Sequence, residues 1–301
     1  MTDQRSRFAD IDGPLHYLEY GGPTDGPRMV LVHGLGGSHL NWSLCAPELA
    51  RRGPVWALDL PGFGASEPAG RSATVSANAA VLVRFVREVV GAPAIVVGNS
   101  MGGMVGILAV AGAPDIASRL MLVDPSLPLA GPASLDPAVG LPILFAAMAP
   151  RVGARSMAAR RNWLGSRTTV EQTLRLVGVE PLALPPELLE RSVALVESRC
   201  DGRGMDQAFV EAARSLVAVN ALRSRYWAAM AAIAVPVLLL HGERDRLVTL
   251  ASARQAANRN PSWRFEVWPG VGHVPQLQVP DRFVRLVLDW LDAGADAAGV
   301  A

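Results

Sequence analysis

Residues 94–113 read AIVVGNSMGGMVGILAVAGA and place a sharp turn between a strand and a helix. The first four residues, Ala94 to Val97, are apolar and rich in β-branched side chains, which is typical of a buried strand. A G-x-S-x-G pentapeptide then follows, and Met101 to Ala113 has the composition of a buried helix. Although Val89 to Pro114 carries no charge, its glycines and prolines favour strand, turn and helix over a membrane span.

Ser100, at the centre of this turn, is the candidate nucleophile. Such a turn lifts the hydroxyl above the sheet, and Gly98 and Gly102 flank it because bulkier side chains would clash. The positive end of the following helix points to the same place. A serine hydroxyl is a weak nucleophile until a base removes its proton, so a histidine and an orienting acid are required elsewhere.

His273 is the candidate base, because it follows a glycine-rich loop just past the last predicted strand. Of the other four histidines, His16 lies within the first predicted strand and is interpreted as structural. His33 and His241 each end an apolar run and precede glycine, so we expect them to hold loops by hydrogen bonds. The role of His39 stays open.

Two aspartates follow predicted strands and lie between Ser100 and His273 in the sequence. Asp245 comes shortly after the apolar run that ends at Leu240, and Asp124 directly follows Leu120 to Val123. We assign Asp245 as the orienting acid and interpret Asp124 as a loop residue that caps a turn.

The glycine-rich turn after the strand Met29 to Val32 is the predicted oxyanion hole. Its donors are the backbone amides of Leu35 and Met101, which would face the charge that develops on a substrate oxygen. Four further residues are candidates for lining a substrate pocket: Gly34, Trp42, Val248 and Val274.

Short apolar runs alternate with helical stretches along most of the chain. The predicted strands are Leu15 to Tyr20, Met29 to Val32, Val55 to Leu58, Ala94 to Val97, Leu120 to Val123, Val235 to Leu240 and Arg264 to Val267. The predicted helices between and after them are Thr74 to Val90, Met101 to Ala113, Ala251 to Asn258 and Arg282 to Leu291. This alternation predicts an α/β fold with a mostly parallel sheet covered by helices on both faces, and an antiparallel edge strand at Leu15 to Tyr20.

The alternation stops between Ser126 and Ile233, where prolines divide the chain into helical pieces such as 186–199 and 205–232. We expect a helical cap over residues 126–233, inserted into a core domain made of residues 1–125 and 234–301. An apolar cluster in this segment suits a lid over an apolar substrate or a helix packed on the core: Leu141, Ile143, Leu144, Phe145 and Met148.

Composition excludes several other classes of function. The net charge is +1 with a pI near 7.9, so nucleic acid is not an expected partner. All 28 cationic residues are arginine, which excludes a catalytic or phosphate-binding lysine. We expect a small-molecule substrate and no metal or organic cofactor. The oligomeric state is left open.

Cys45 and Cys200 are expected to be reduced thiols rather than part of a disulfide framework. The polar start, Met1 to Gly13, has no apolar segment of the kind that a signal peptide needs, which favours a cytoplasmic location.

The series of motifs resembles the α/β-hydrolase superfamily in its order along the chain. The matching segments are His33-Gly34, Asp59 to Ser66, Gly98 to Gly103, His241 to Asp245 and Gly272-His273. The resemblance implies that fold, a Ser100–His273–Asp245 triad, a cap at 126–233 and no cofactor. It also implies that Asp59 belongs to a structural turn and is not catalytic.

Within that superfamily, a serine at position 100 implies that the chain is similar to the esterases, lipases, lactonases, amidases or carbon–carbon bond hydrolases. Gly98 to Gly103 is similar to the same motif in meta-cleavage-product hydrolases, which cut carbon–carbon bonds. Val274 replaces the tryptophan usual after the histidine in those enzymes, and Gly34-Leu35-Gly36 replaces their Gly-Pro-Gly. Ester cleavage is therefore the favoured prediction. The alternatives are carbon–carbon cleavage and a ligand receptor that retains the triad.

Overall fold

A computed structural model describes residues 4–131, 150–198 and 204–298. Within these ranges eight strands form one sheet in the order β1-β2-β4-β3-β5-β6-β7-β8. The strands are β1 (Gln4–Asp10), β2 (Pro14–Tyr20), β3 (Met29–Val32), β4 (Val55–Leu58), β5 (Ala94–Asn99), β6 (Ala117–Val123), β7 (Val237–Gly242) and β8 (Arg264–Trp268). The pairs β1–β2 and β2–β4 are antiparallel and the other neighbours are parallel, which confirms the predicted sheet.

Helices cover both faces of this sheet, and further helices lie in the segment between β6 and β7. They are α1 (Ala46–Leu49), α2 (Val75–Phe85), α3 (Met101–Gly112), α4 (Pro150–Leu164), α5 (Ser166–Leu176), α6 (Pro186–Ser198), α7 (Met205–Ala221), α8 (Arg223–Ala231), α9 (Leu250–Arg259), α10 (Pro275–Gln278) and α11 (Pro280–Ala298). Side chains of β3 alternate between the faces, so that Val30 and Val32 join one core cluster while Met29 and Leu31 join the other. The first cluster takes in α2, α3 and α9, and the second takes in α1 and α11.

Strand β1 was not predicted from the sequence. Its side chains are almost all exposed, so it lacks the apolar alternation that reveals a half-buried strand. It is held by backbone pairing along its whole length, from Gln4 opposite Tyr20 to Asp10 opposite Pro14. The predicted edge strand β2 is therefore the second strand of the sheet.

Every described element between β6 and β7 is helical, and the division into a core and an inserted cap stays a prediction. The predicted helical stretch 205–232 is interrupted at Leu222, where α7 ends and α8 begins. Helix α8 packs on α3, and its Tyr226 and Met230 belong to the core cluster. The end of the segment assigned to the cap therefore lies with the core. Residues 141–148 and Cys200 lie outside the described residues.

No helix in the described part of the chain is both long and apolar enough to cross a bilayer.

Candidate active site

Ser100 occupies the turn between β5 and α3 in a conformation that non-glycine residues rarely adopt, with φ 57° and ψ −118°. Backbone hydrogen bonds fix the turn: Ser100 N–H donates to Val123 O at 3.0 Å, and Ser100 O accepts from Ser126 N–H at 3.0 Å. A Cβ on Gly98 would overlap the carbonyl of Gly102, so this turn requires the glycine. The side chain of Ser100 is therefore presented at the carboxyl end of the sheet, as the sequence predicts.

His273 and Asp245 form a buried pair. His273 Nδ1–H donates to Asp245 Oδ2 at 2.7 Å, which leaves Nε2 as the proton acceptor of the ring. Asp245 Oδ1 accepts from the backbone amides of Leu247 at 2.7 Å and Val248 at 3.1 Å. Burial opposes the ionisation of Asp245, but the charge and hydrogen bond of His273, with a smaller contribution from His241, outweigh it and lower the Asp245 pKa. Asp245 is thus held as a carboxylate beside His273.

Asn99 joins the serine turn to the histidine loop. Its Nδ2 donates to Val123 O and to His273 O, each at 3.0 Å, and the side chain is buried. Asn99 occupies a variable position of the G-x-S-x-G pattern, so nothing in the sequence indicated this role.

The predicted oxyanion turn lies directly against Ser100. A Cβ on Gly34 would come within 2.9 Å of Ser100 Cβ, so only glycine fits there. His33 Nδ1–H donates to Gly34 O at 2.7 Å, and its Nε2 accepts from Leu60 N–H at 3.0 Å. These bonds agree with the expectation that His33 holds a loop. Leu35 follows Gly34 in this turn, and Met101 is the first residue of α3, where amides have no helical acceptor.

The four candidate pocket residues have different surroundings. Gly34 lies beside Ser100, and the partly buried Val248 packs on the core while its amide binds Asp245. Trp42 is fully buried in the second core cluster with its ring centroid 6.2 Å from that of Phe283, and its assignment to a pocket stays a prediction. Val274 is also buried, and it packs with the cap residue Leu188 instead of facing open space.

The helical segment between β6 and β7 contacts the site at three points. His273 N–H donates to Val177 O at 2.9 Å, just after α5. Tyr226 Oη donates to Ser126 O at 2.8 Å, and Ser126 in turn binds Ser100 O. On α7, Phe209 lies 3.1 Å from the position of a Cβ on Gly36, and so covers the oxyanion turn.

A second buried histidine–aspartate group lies around Asp59. His16 Nδ1–H and His39 Nδ1–H each donate to Asp59 Oδ2 at 2.8 Å, and the amides of His39 and Ala65 donate to the same carboxylate. Burial opposes ionisation, but these hydrogen bonds prevail and hold the Asp59 pKa far below its usual range. The three side chains are close enough to share a metal ion, yet the carboxylate already accepts four donors. These hydrogen bonds to Asp59 thus join the turn after β4 to β2, in agreement with a structural role.

The amino-acid sequence is similar to those of several known enzymes. The chain is 38% identical over 120 residues to the dihydrolipoyllysine-residue acetyltransferase component of the acetoin cleaving system of Cupriavidus necator, a match that covers 40% of the chain but only 32% of that relative's length. It is 27% identical over 266 residues to a pimeloyl-[acyl-carrier protein] methyl ester esterase of Aeromonas hydrophila, covering 87% of the chain and 94% of the relative. It is 26% identical over 296 residues to a 2-hydroxy-6-oxononadienedioate/2-hydroxy-6-oxononatrienedioate hydrolase of Pseudomonas putida, covering 95% and 94%.

Among solved structures, the 2-hydroxy-6-oxo-6-phenylhexa-2,4-dienoate hydrolase from Rhodococcus sp. strain RHA1 superposes with a TM-score of 0.74 at 20% identity, over 96% of this chain and 99% of that one. This likeness shows a shared fold. The sequence model of the Alpha/beta hydrolase family matches residues 29–286, which include every strand from β3 to β8 and all the candidate site residues. The chain therefore belongs to the Alpha/beta hydrolase family.

Proposed function

We propose that the protein is a serine hydrolase that cleaves an ester bond of a small, largely apolar substrate through an acyl-enzyme on Ser100. The observation that carries this proposal is the 2.7 Å hydrogen bond from His273 Nδ1 to Asp245. It leaves the other ring nitrogen free to act as a base, and Asn99 fixes that histidine loop against the serine turn.

In the proposed reaction, Ser100 Oγ attacks the ester carbonyl carbon while His273 Nε2 takes the hydroxyl proton. The carbonyl oxygen becomes an oxyanion, and the amides of Leu35 and Met101 stabilise it. The bond to the alkoxide then breaks, His273 gives its proton to the departing oxygen, and the alcohol leaves while the acyl group stays on Ser100 as an acyl-enzyme. Water attacks this acyl-enzyme with His273 again acting as base, and the acid and free Ser100 are released.

Apolar residues around the oxyanion turn support an apolar acyl group. Leu35, Phe209 and Val248 are partly buried and pack along the edge of the core at this end of the sheet. The methyl ester esterase among the relatives supports ester chemistry in the same family.

Carbon–carbon cleavage is the second candidate, because relatives in Pseudomonas putida and Dechloromonas aromatica carry the names of dienedioate hydrolases. Such a substrate has carboxylates and would require a free arginine in the cap, where the sequence offers Arg151, Arg155, Arg160 and Arg161. Arg161 is paired with Asp206 at 2.8 Å, and Arg160 binds Gln172. The internal partners of these two arginines, together with Val274 in place of an aromatic residue, favour the ester.

The test compares p-nitrophenyl butyrate with a meta-cleavage product on one preparation, with Ser100→Ala as the control for background hydrolysis. We expect the ester to have the higher kcat/KM. A carbon–carbon substrate that exceeds the ester by about 100-fold, a difference of about 2.7 kcal/mol in transition-state binding, would contradict the proposal. A protein that binds such ligands but turns over neither would instead be a receptor.

A further inference from the structure

A second carboxyl group, that of Asp124, is buried beneath the proposed triad. Asp124 directly follows β6 with φ 44°, and its amide donates to Leu240 O at 2.9 Å. Its Oδ1 accepts from Gly242 N–H at 2.7 Å, at the end of the strand that precedes Asp245. Its Oδ2 is buried and has no hydrogen-bond partner among the described residues. Half of this carboxyl group therefore lacks the donors that a buried carboxylate needs.

His241 is the first charged or titratable neighbour of Asp124. Its Nε2 lies 3.0 Å from Val248 O, and because a carbonyl only accepts, Nε2 must carry the proton. The Nδ1 of His241 lies 3.4 Å from Asp124 Oδ1, whereas a charged N–H···O⁻ bond is about 2.7–2.9 Å long. Burial, the largest influence, lowers the pKa of His241. Its Nδ1 is therefore a lone pair that faces Asp124, and a carboxylate at Asp124 would be repelled by it.

Asp245 is the second such neighbour. One carboxyl oxygen of Asp124, one of Asp245 and a ring nitrogen of His241 all lie within 4.8 Å of one another, and all three side chains are buried. Two carboxylates in a site shielded from water repel each other, so one of them retains a proton. Asp245 is stabilised as an anion by two backbone amides and His273, whereas burial and the charge of Asp245 raise the pKa of Asp124.

We propose that Asp124 is a neutral carboxylic acid that shares its proton with Asp245, and so keeps the negative charge beneath His273 at one. Asp124 is then a positioning residue: its Oδ1 holds the end of β7, and its proton faces acceptors on Asp245 and His241. The kinetic part of this inference rests on the proposed function, but the protonation state does not.

Infrared spectroscopy of the protein labelled with ¹³C in its aspartate carboxyl groups measures that proton directly. At pH 7 we expect the carbonyl band of a protonated carboxylic acid, shifted by the label and absent from Asp124→Asn. The matched control is Asp115→Asn, because Asp115 is exposed and ionised beside Arg87 at 2.8 Å. The control should keep the band. A wild-type protein without it, or a band that persists in Asp124→Asn, would overturn the proposal.

Kinetics distinguish a neutral Asp124 from an ionised Asp124. An asparagine keeps the acceptor for Gly242 and donates an N–H in place of the acid proton, so Asp124→Asn should retain kcat/KM within about 3-fold and leave the pH midpoint of its profile unchanged. In Asp245→Asn, kcat/KM should fall by roughly 10⁴-fold, because His273 takes the wrong tautomer.

An ionised Asp124 gives the opposite result. Its replacement by asparagine would remove an anion and lower the pH midpoint by about 1 unit or more, which would contradict the proposal. If Asp124→Asn fails to fold, the spectrum of the labelled wild-type protein still shows whether a protonated aspartate is present at pH 7. If the wild-type protein has no esterase activity, the proposed function fails while the infrared result stands.

Discussion

Ser100 is held in a strained backbone conformation by its neighbours. A non-glycine residue in such a region costs on the order of 1–3 kcal/mol, which hydrogen bonds to Val123 and from Ser126 offset here. The pentapeptide around Ser100 could be identified from the sequence because the tight turn leaves no room for side chains at its glycine positions. Asn99 could not, because its partner His273 lies 174 positions away and only the folded sheet brings them together.

Replacing Asn99 should affect catalysis more than stability alone would explain. Asn99→Ala removes the donor to Val123 O and His273 O, which should lower the free energy of unfolding by about 1–3 kcal/mol. Because the histidine loop loses its tie to the serine turn, kcat should fall by about 10- to 100-fold. Urea unfolding and ester kinetics measure the two effects.

The matched control for Asn99→Ala is Asn260→Ala. Asn260 is also a buried amide, and its Nδ2 donates to Ala256 O at 2.9 Å, at the end of α9. We expect a similar loss of stability with an unchanged kcat. Equal losses of kcat in both variants would mean that Asn99 acts only through stability.

At the scale of whole elements, an apolar cluster connects the cap to the histidine loop. It contains Val179, Leu184 and Leu188 from the cap and Val274 and Leu277 from the core. The hydrogen bond from His273 N–H to Val177 O runs beside it. The position of His273 therefore depends on how α5 and α6 pack on the core, which the proline-divided sequence of this region did not indicate.

Shortening a side chain in this cluster should disturb the site from a distance. Leu188→Ala should lower the free energy of unfolding by about 2–5 kcal/mol through the lost contacts and the cavity left behind. As the support of the histidine loop loosens, kcat should also fall by about 10-fold or more.

Leu182→Ala is the control for this prediction, because Leu182 is two residues from Leu184 of this cluster but is 89% exposed. Its stability should stay within about 0.5 kcal/mol of wild type, with unchanged kinetics. If Leu188→Ala is less stable but fully active at a temperature where it is folded, then the packing at Leu188 does not determine the position of the histidine loop, which contradicts this prediction.

At the scale of the molecule, strands β3, β4, β5 and β7 could be predicted because each is a short, mostly apolar run buried on both faces. The bounds of Met29–Val32 and Val55–Leu58 agree residue for residue. The exposed β1 carries no such pattern, and the break at Leu222 between two helices is set by how α8 packs on α3. The pairing of Asp59 with His16 and His39 also required the fold, since it joins residues 43 and 20 positions apart.

This Asp59 cluster should make the stability of the whole protein depend on acid pH. The folded protein holds the Asp59 pKa low, whereas an unfolded aspartate binds a proton near pH 3.9. Below about pH 4 the unfolded state therefore binds more protons, and stability falls with pH by up to about 1.4 kcal/mol per unit from this group. Above that pH its contribution is fully present.

Urea unfolding of wild type and Asp59→Asn between pH 3 and 7 measures this contribution. The variant should be less stable at pH 7 and should lose stability less steeply below about pH 4. Asp289→Asn, at an exposed position of α11, is the control and should follow wild type. Parallel curves for wild type and Asp59→Asn would show that Asp59 does not contribute to acid sensitivity.

Covalent labelling tests most directly whether Ser100 is the nucleophile of a hydrolase. The native protein is treated with a fluorophosphonate, and the modified residue is located by mass spectrometry of its peptides. We expect stoichiometric labelling of Ser100 alone, no labelling of Ser100→Ala, and a loss of kcat on the order of 10⁶-fold in that variant. Labelling of another serine, or a Ser100→Ala variant that keeps its activity, would contradict the account.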